Sequence, residues 1–415
     1  MNKVWLGVWL AGSLLAQPAP VVVRAARMLD VASGEMVRDA VVVVEGGKIT
    51  AVKPPSVPAG TKVIDLGDVT LLPGLTDVHT HLTADNEGDI VNQPVHETAL
   101  DGVLRGVVNA KKTLLAGFTT VRDVGNAGEF ADVALMHAIE KGWIPGPTII
   151  PAGHALGITG GHCDATGFIP GVLQMTPEEG VADGVDAVIR AVRYQAKYGA
   201  KVIKICATAG VFSFDSTVGA QQYSYEEMRA IVEEARRHGL KVAAHAHGTE
   251  GIIAASKAGV ASIEHGTILN EEAVRVLKQN GTFLVPNPFI FDHIDSSKLP
   301  PVIRAKEESL KPLEKRSLSL ALAAGVKLAF GTDAAVIPHG MNGKQFYSLV
   351  TRGVKPLEAI RMATVDAAEL IGLDDRGTIE KGKVADLIAV KGNPLEEIRV
   401  LERPVWVMKG GVVYQ

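Results

Sequence analysis

The sequence has few cysteines and little net charge, and both shortages exclude classes of function. Only two of its 415 residues are cysteine, Cys163 and Cys206. This count excludes a disulfide framework and makes a cysteine-based metal site unexpected, and we read Cys206 as a core residue. The net charge of −4 gives no electrostatic attraction for nucleic acid or for an acidic membrane surface. We therefore expect a small molecule as partner, and no nucleic acid.

Long hydrophobic runs are also missing, apart from one at the N-terminus. Residues 4–15 are apolar and follow Lys3, but this run is too short to span a bilayer, so stable membrane insertion is not expected. The pattern predicts a signal peptide over residues 1–16 and a secreted or periplasmic protein. Cleavage after Ala16 puts Leu14 where a small residue is preferred. The alternative is an uncleaved segment, disordered or anchored, which leaves the protein cytoplasmic.

The remaining chain divides into two kinds of pattern. Residues 20–72 contain short β-rich runs separated by Gly, Pro and Asp, and residues 375–415 are β-rich again. We predict that both ends of the chain build one small β-sandwich domain. Between them, over residues 73–374, strand-like runs of four to eight residues alternate with helix-like segments. One of these is "SYEEMRAIVEEARRHG", with Ser224 as N-cap and Gly239 as the stop.

The alternating region contains eight β/α units, which predicts an α/β fold of the TIM (β/α)8 barrel type. A doubly wound sheet is the alternative. It usually carries a Gly-rich phosphate turn after an early strand, and the sequence has none there. Active sites of the barrel fold lie at the carboxyl ends of the strands, so polar residues at those positions are candidates for function.

Imidazoles recur at these strand ends. "LTDVHTH" ends the first strand with two histidines that point the same way, because strand side chains alternate with a period of two. A lysine lies inside the fourth strand, "VIKICA", where a charge is costly without a partner. Five histidines, one lysine and one aspartate converge on one rim: His79, His81, Lys204, His245, His247, His265 and Asp333. This convergence predicts a metal site, whereas His154, alone after strand three, is more typical of a satisfied structural residue.

These motifs carry a family resemblance. "GLTDVHTH", "GFTTVRD", "TGGHCD", "KVIKICATAG", "AHAHG", "SIEHG", "GTDA" and "GTIEKGKVADLIAV" together resemble the amidohydrolase superfamily, in the binuclear branch with a carboxylated lysine. Prolidase-like dipeptidases and ochratoxin-degrading amidohydrolases are the members that it is most similar to. The resemblance covers nearly the whole chain after the first residues.

The resemblance implies two Zn²⁺ ions per chain. His79 and His81 would hold the first ion, His245 and His265 the second, and a carboxylated Lys204 would bridge them. Imidazole and carboxylate ligands suit zinc with positions left open for water and substrate. Asp333 would bind the first ion, take a proton from the bridging hydroxide and pass it to the leaving nitrogen.

Further residues are assigned to the substrate by the same resemblance. His247 would contact the scissile carbonyl or the terminal carboxylate as a catalytic and substrate-binding residue, although a supporting role behind the ligands is equally open. His162, in a Gly-rich loop, and Tyr223 are the other predicted substrate contacts. Arg122 is expected to pair with Asp123 or a neighbouring carboxylate. The resemblance also implies a homo-oligomer.

The function that follows is metal-dependent hydrolysis of an amide or peptide bond next to a C-terminal amino acid. Substrates would be Xaa-Pro or other dipeptides, or N-acyl amino acids such as ochratoxin A. The alternative is a mononuclear deaminase of the same superfamily, favoured by the His-x-x-Glu spacing of His247 and Glu250 but not by Lys204. A non-catalytic scaffold is a third reading, which the complete ligand set disfavours.

Overall fold

The computed structural model describes residues 20–57, 60–85, 93–126 and 128–415. The predicted signal peptide therefore lies outside the described residues. In chain order the strands are β1 (Val21–Leu29), β2 (Met36–Glu45), β3 (Lys48–Val52), β4 (Lys62–Asp65), β5 (Thr70–Pro73), β6 (Leu75–Thr80), β7 (Phe118–Asp123), β8 (Thr148–Pro151), β9 (Val202–Cys206), β10 (Lys241–Ala246), β11 (Ser262–His265), β12 (Phe283–Val285), β13 (Leu387–Val390), β14 (Trp406–Lys409) and β15 (Val412–Val413).

The helices alternate with strands through the middle of the chain. They are α1 (Gln93–His96), α2 (Ala99–Leu115), α3 (Ala131–Glu140), α4 (Val185–Lys197), α5 (Tyr225–Arg237), α6 (Thr249–Ala258), α7 (Glu271–Asn280), α8 (Pro288–His293), α9 (Pro301–Ala324), α10 (Gln345–Val350), α11 (Pro356–Met362) and α12 (Val365–Ile371). The predicted N-cap of α5 is confirmed, since the Ser224 side chain accepts a hydrogen bond from the Glu227 backbone. None of the helices in the described residues is long and apolar enough to cross a membrane.

Strands from both ends of the chain share one sheet. Its order is β15-β14-β13-β5-β1-β2-β3, and β4 pairs with β1. The junction is the antiparallel pairing of β5 with β13, in which Leu387 lies opposite Pro73. Buried Val, Leu, Ala and Met side chains from these strands form one core cluster. The sandwich arrangement and the domain boundaries at residues 72/73 and 374/375 stay predictions.

The middle of the chain is an α/β, TIM-barrel-like domain with two parallel sheets, β6-β7-β8 and β9-β10-β11-β12. Seven of the eight predicted strands are therefore present as strands. The eighth run, around residues 327–334, makes only isolated bridges, from Leu328 to Leu284 and from Ala334 to Thr80 and to Ile337. The reason is local, because the Phe330 N–H donates to the Met362 carbonyl and Asp333 has a left-handed backbone with φ of 58°.

Candidate metal centre

Two groups of three side chains lie at the carboxyl ends of the parallel strands. His79, His81 and Asp333 form one group, and His245, His247 and His265 form the other. Within each group one ligand atom per residue lies within 4.8 Å of the others. Within their own sheets β6 is parallel to β7 and β10 is parallel to β11, and side chains two residues apart share a face. Each of the two groups could hold one metal ion.

The first group is centred on a carboxylate. Asp333 Oδ1 lies 3.4 Å from His79 Nε2 and 3.3 Å from His81 Nε2. Burial alone would raise the pKa of Asp333, but the two imidazoles hold that pKa well below its ordinary value. Asp333 is therefore an anion at neutral pH, as a metal ligand must be.

A buried carboxylate that sequence reasoning missed orients His79. Glu264 Oε2 lies 2.8 Å from His79 Nδ1, and Glu264 Oε1 accepts a hydrogen bond of 2.7 Å from Arg122. Arg122 thus pairs with Glu264, which is the neighbouring carboxylate and not Asp123. Burial would raise the pKa of Glu264, but Arg122 and His79 hold it well below its usual value. A carboxylate on Nδ1 leaves Nε2 of His79 directed at the metal site.

Asp77 fixes the backbone that carries His79. Its fully buried carboxylate accepts hydrogen bonds from the backbone N–H groups of His79 and Thr332, at 3.1 and 3.0 Å, and from the Asn342 amide at 2.8 Å. Burial raises the pKa of Asp77 to about 6 despite these donors. The contacts join the end of β6 to the segment that precedes Asp333.

The second group consists of neutral imidazoles. The His245 ring centroid lies 4.7 Å from that of His265 and 4.8 Å from that of His247. Burial lowers the pKa of His247 to about 3 and those of His245 and His265 well below the ordinary histidine value. His245 Nε2 is buried without a hydrogen-bond partner. An orphaned imidazole nitrogen in a cluster of neutral histidines fits a metal ligand.

Lys204 lies on β9 and lines the same cavity as both groups. Its side chain is buried, with 3% of the residue exposed, and within the described residues it makes no hydrogen bond or ion pair. Burial lowers its pKa from 10.5 to about 8. An amine that loses its proton easily can react with carbon dioxide. A buried ammonium without a partner is costly, so the lysine requires a compensating interaction at this site.

Two of the candidate ligands have a strained backbone. His265 has φ of 72° and Asp333 has φ of 58°, in the left-handed region that disfavours residues other than glycine. Such conformations persist where the surroundings impose them, and they cluster at functional sites. His265 is the last residue of β11, whereas Asp333 lies in the run after β12 that forms no strand.

The two groups open into a cavity of about 370 Å³. His162 lines it, with its ring centroid 4.1 Å from that of His245, and burial lowers the pKa of His162 to about 4. Tyr223 does not line it. The Tyr223 ring is fully buried and its hydroxyl donates to the Ala182 carbonyl at 3.1 Å, so the prediction that it contacts substrate is corrected to a structural role.

Two other residues considered in the sequence analysis, His154 and Glu250, differ in their position relative to the cavity. His154 does line it, but its Nδ1 lies 3.3 Å from the Gln195 amide oxygen. Glu250 is exposed at the start of α6 and is not among the cavity residues. The proton-shuttling glutamate of the deaminase reading therefore has no place beside the metal groups.

The two cysteines form a disulfide, which the sequence analysis did not foresee when it excluded a disulfide framework from their number. Cys163 follows His162 in the loop after β8, and Cys206 ends β9 two residues after Lys204. Cys206 is buried, as expected of a core residue. The bond attaches the loop that carries His162 to the strand that carries Lys204.

Comparison with known proteins identifies the family. The sequence profile of the amidohydrolase family matches residues 70–413. The chain belongs to the amidohydrolase family. Ochratoxinase of Aspergillus niger is 36% identical over 370 residues, which cover 83% of this chain and 75% of the relative.

Solved structures of amidohydrolase relatives agree with this assignment. A Xaa-Pro dipeptidase with methionine bound in its active site is 37% identical, with a TM-score of 0.91 over 96% of this chain and 100% of that one. A prolidase complexed with N-methylphosphonate-L-proline is 33% identical, with a TM-score of 0.88 over 95% and 99%. The chain is thus an amidohydrolase of the prolidase-like and ochratoxinase branch, a hydrolase of amide or peptide bonds.

Proposed function

We propose that the protein is a binuclear zinc hydrolase that cleaves the amide bond ahead of a C-terminal amino acid. The observation that carries the proposal is Lys204, a buried amine without a partner that lines one cavity with both groups of ligands. A single-metal enzyme has no use for a lysine there, whereas a carboxylated lysine can bridge two ions. Zinc fits the donor set of imidazoles and one carboxylate.

The residues divide between the two ions. His79, His81 and Asp333 would hold one ion, His245 and His265 the other, and carboxylated Lys204 both. His247 belongs to the second group by distance and is free to ligate or to bind the substrate carbonyl. Two bound ions would lower the pKa of a shared water and polarise the scissile carbonyl.

Asp333 is the proton carrier in this proposal. An amide nitrogen must be protonated to leave, because an amine anion is too basic. Asp333 is anionic and lies at the cavity wall, so it can accept the proton of the attacking water and donate it to that nitrogen. Glu264 keeps the ring of His79 in place during this exchange.

The cavity wall suggests the substrate side chain. Val211, Phe212, Ile290 and Phe291 line it, which favours an apolar or aromatic residue next to the scissile bond. The described lining contains no arginine, and Lys204 is its one lysine. A substrate carboxylate would therefore depend on histidines, backbone N–H groups and the ions.

The first experiment combines metal content with a substrate panel. Elemental analysis of the purified protein should give two zinc ions per chain. We expect cleavage of compounds in a panel of Ala-Pro, Ala-Phe, N-acetyl-L-phenylalanine and ochratoxin A, and their relative rates order them as substrates. Ala-Phe amide is the matched control, because it lacks only the terminal carboxylate and should be cleaved much more slowly. One ion per chain, or equal cleavage of Ala-Phe and its amide, would overturn the corresponding half of the proposal.

Three predictions about the setting of this site are also proposals. The two parallel sheets and the segment near residues 327–334 would close an eight-stranded barrel, the mature protein would be secreted or periplasmic, and it would form a homo-oligomer. Isolated parallel bridges at Leu284–Leu328, Thr80–Ala334 and Leu156–Ile205 support the first of these.

A further inference from the structure

The apolar wall of the cavity comes from two segments that meet on helix α9. The loop after β9 contributes Val211, and α8 contributes Ile290 and Phe291. Phe291 packs against a cluster that joins Val211 to two apolar side chains of α9. The α9 members of this cluster are Ile303 and Leu310. The two segments therefore form one wall, and α9 supports it from behind.

Helix α8 cannot hold its place in this wall by itself. It has only six residues, Pro288–His293, and an isolated helix of fewer than about 12 residues is marginal in water. Its position must therefore come from contacts with other elements. Gln345 of α10 holds its first turn, because the Gln345 side-chain oxygen accepts from the Phe289 N–H at 3.3 Å and the amide donates to the Pro286 carbonyl at 3.0 Å.

Arg352, in the turn after α10, ties α8 to its neighbours. Its Nη1 and Nη2 form a bidentate ion pair with Asp292 of α8, at 2.9 and 3.0 Å, and its Nε donates to Glu314 of α9 at 2.6 Å. The two other N–H groups donate to the carbonyls of Ser348 and Pro288, at 3.1 and 3.4 Å. All five donors of the guanidinium are thus used, and the side chain is only 3% exposed. Arg352 therefore joins α8, α9 and α10 at one buried point.

Helix α9 is a common base for both segments of the wall. Lys306 of α9 holds the loop after β9, since its Nζ donates to the Ser213 carbonyl at 2.9 Å and forms an ion pair of 2.6 Å with Asp215. Arg352 holds α8 to the same helix through Glu314. Each segment is thus attached to α9 by a buried cation, and the two attachments together fix the space between the apolar side chains.

We propose that Arg352 is a positioning residue for substrate specificity, because it holds Ile290 and Phe291 at the distance from Val211 that accommodates one large apolar side chain of the substrate. The substrate class is a dipeptide or N-acyl amino acid with an aromatic or large aliphatic residue next to the scissile bond. Arg352 is not among the described residues that line the cavity, so it acts through α8. The inference rests on the proposed hydrolysis for the reaction, whereas the attachment of α8 is a property of the fold alone.

The attachment is tested without any activity, by hydrogen–deuterium exchange of the purified protein followed by mass spectrometry. Arg352→Lys keeps the charge, but an ammonium has three donors on one atom and cannot reach three elements at once. We expect the backbone amides of residues 287–294 to exchange about ten-fold faster in this variant, the effect of about one hydrogen bond to a charged group. The amides of α7 should keep the wild-type rate. Unchanged exchange in α8 would overturn the proposal.

Specificity is tested with the dipeptides Ala-Phe, Phe-Ala and Ala-Ala. The wild-type protein should prefer one of the two phenylalanine dipeptides to Ala-Ala, and the preferred one shows on which side of the scissile bond the pocket lies. Arg352→Lys should lower kcat/KM for that dipeptide about ten-fold, chiefly through a higher KM, because a poorly fitting apolar pocket loses binding energy. For Ala-Ala, which has no large side chain, kcat/KM should stay close to the wild-type value. An equal fall for all three dipeptides, a fall confined to kcat, or a wild type without this preference would overturn the role in specificity.

A second variant and a control separate this result from a general defect. Asp292→Asn should change exchange and specificity in the same direction, and it is the milder change because the Asp292 side chain is 41% exposed. Asp292→Glu, which keeps a carboxylate for Arg352, should recover most of both. Arg193→Lys is the matched control and should change neither, since Arg193 of α4 binds the buried carboxylate of Glu234 on α5 at 2.7 Å, and neither residue lines the cavity. If the wild type cleaves none of the dipeptides, the proposed function and the role in specificity fail together, while the exchange rates still decide whether Arg352 holds α8.

Discussion

Replacing Lys204 by methionine should separate stability from function. The substitution keeps the length of the side chain and removes the amine, and the environment is apolar enough to lower the Lys204 pKa from 10.5 to about 8. At about 1.4 kcal/mol per pH unit, holding a buried ammonium there costs the metal-free protein about 3 kcal/mol. Metal-free Lys204→Met should therefore be about 3 kcal/mol more stable than the metal-free wild type near neutral pH.

The pH dependence gives the sign of the effect. Below pH 8 Lys204 is protonated in both the folded and the unfolded wild-type chain, so the full cost of burying the ammonium is present. Between about pH 8 and 10.5 Lys204 is protonated in the unfolded chain but not in the folded one. The stability of metal-free wild type should rise across that window relative to the variant, and the difference should disappear towards its upper end.

The assay is equilibrium unfolding in urea, with chelator and in buffers free of carbon dioxide, at about pH 7 and about pH 10. Metal content and kcat/KM are measured on the untreated proteins, and both should be lost in Lys204→Met. Lys306→Met is the matched control, because Lys306 is paired with Asp215 and its loss should destabilise the chain by about 3–5 kcal/mol. A Lys204→Met protein that is less stable than wild type, or that keeps two ions and activity, would refute the reasoning.

Three further predictions follow from single contacts. Glu264→Gln should weaken zinc binding by about 10–100-fold in a chelator competition, because the carboxylate on His79 Nδ1 is lost; unchanged affinity would contradict the orienting role. Reducing the disulfide between Cys163 and Cys206, which are 43 residues apart, should lower the free energy of unfolding by about 4 kcal/mol. Reductant should have no effect on the double Cys→Ala variant. Tyr223→Phe should cost about 1 kcal/mol of stability through the lost bond to Ala182 and leave kcat/KM unchanged. A fall in kcat/KM at unchanged stability would instead show that Tyr223 contacts the substrate.

Residues at strand ends were predictable from the sequence because two regularities fix them. A period of two sets the face of each strand side chain, and parallel strands end on the same side of a sheet. His79, His81, His245, His265 and Asp333 therefore come together in the structure as the spacing suggested. The seven strands β6 to β12 follow from the same alternation.

Contacts that depend on loop paths were not predictable in this way. Glu264 is visible in the sequence as a charge inside a strand, but its partner Arg122 lies 142 residues earlier. Ser213 and Asp215 lie in the loop after β9, and Cys163 lies in the loop after β8; neither loop has a periodic pattern. Tyr223 lies just before a helix whose packing turns its ring into the core, which no local pattern records.

The shared sheet has a consequence for synthesis. Strand β5 pairs with β1 on one side and with β13 on the other, and β13 begins about 300 residues later in the chain. At a ribosomal rate of about 5–20 residues per second, β5 waits roughly 15–60 s with one edge unpaired. An open, apolar strand edge is a template for aggregation during that interval. Nascent chains of this protein should therefore depend on holding chaperones until the last strands emerge, and fragments that end before β13 should accumulate as insoluble material.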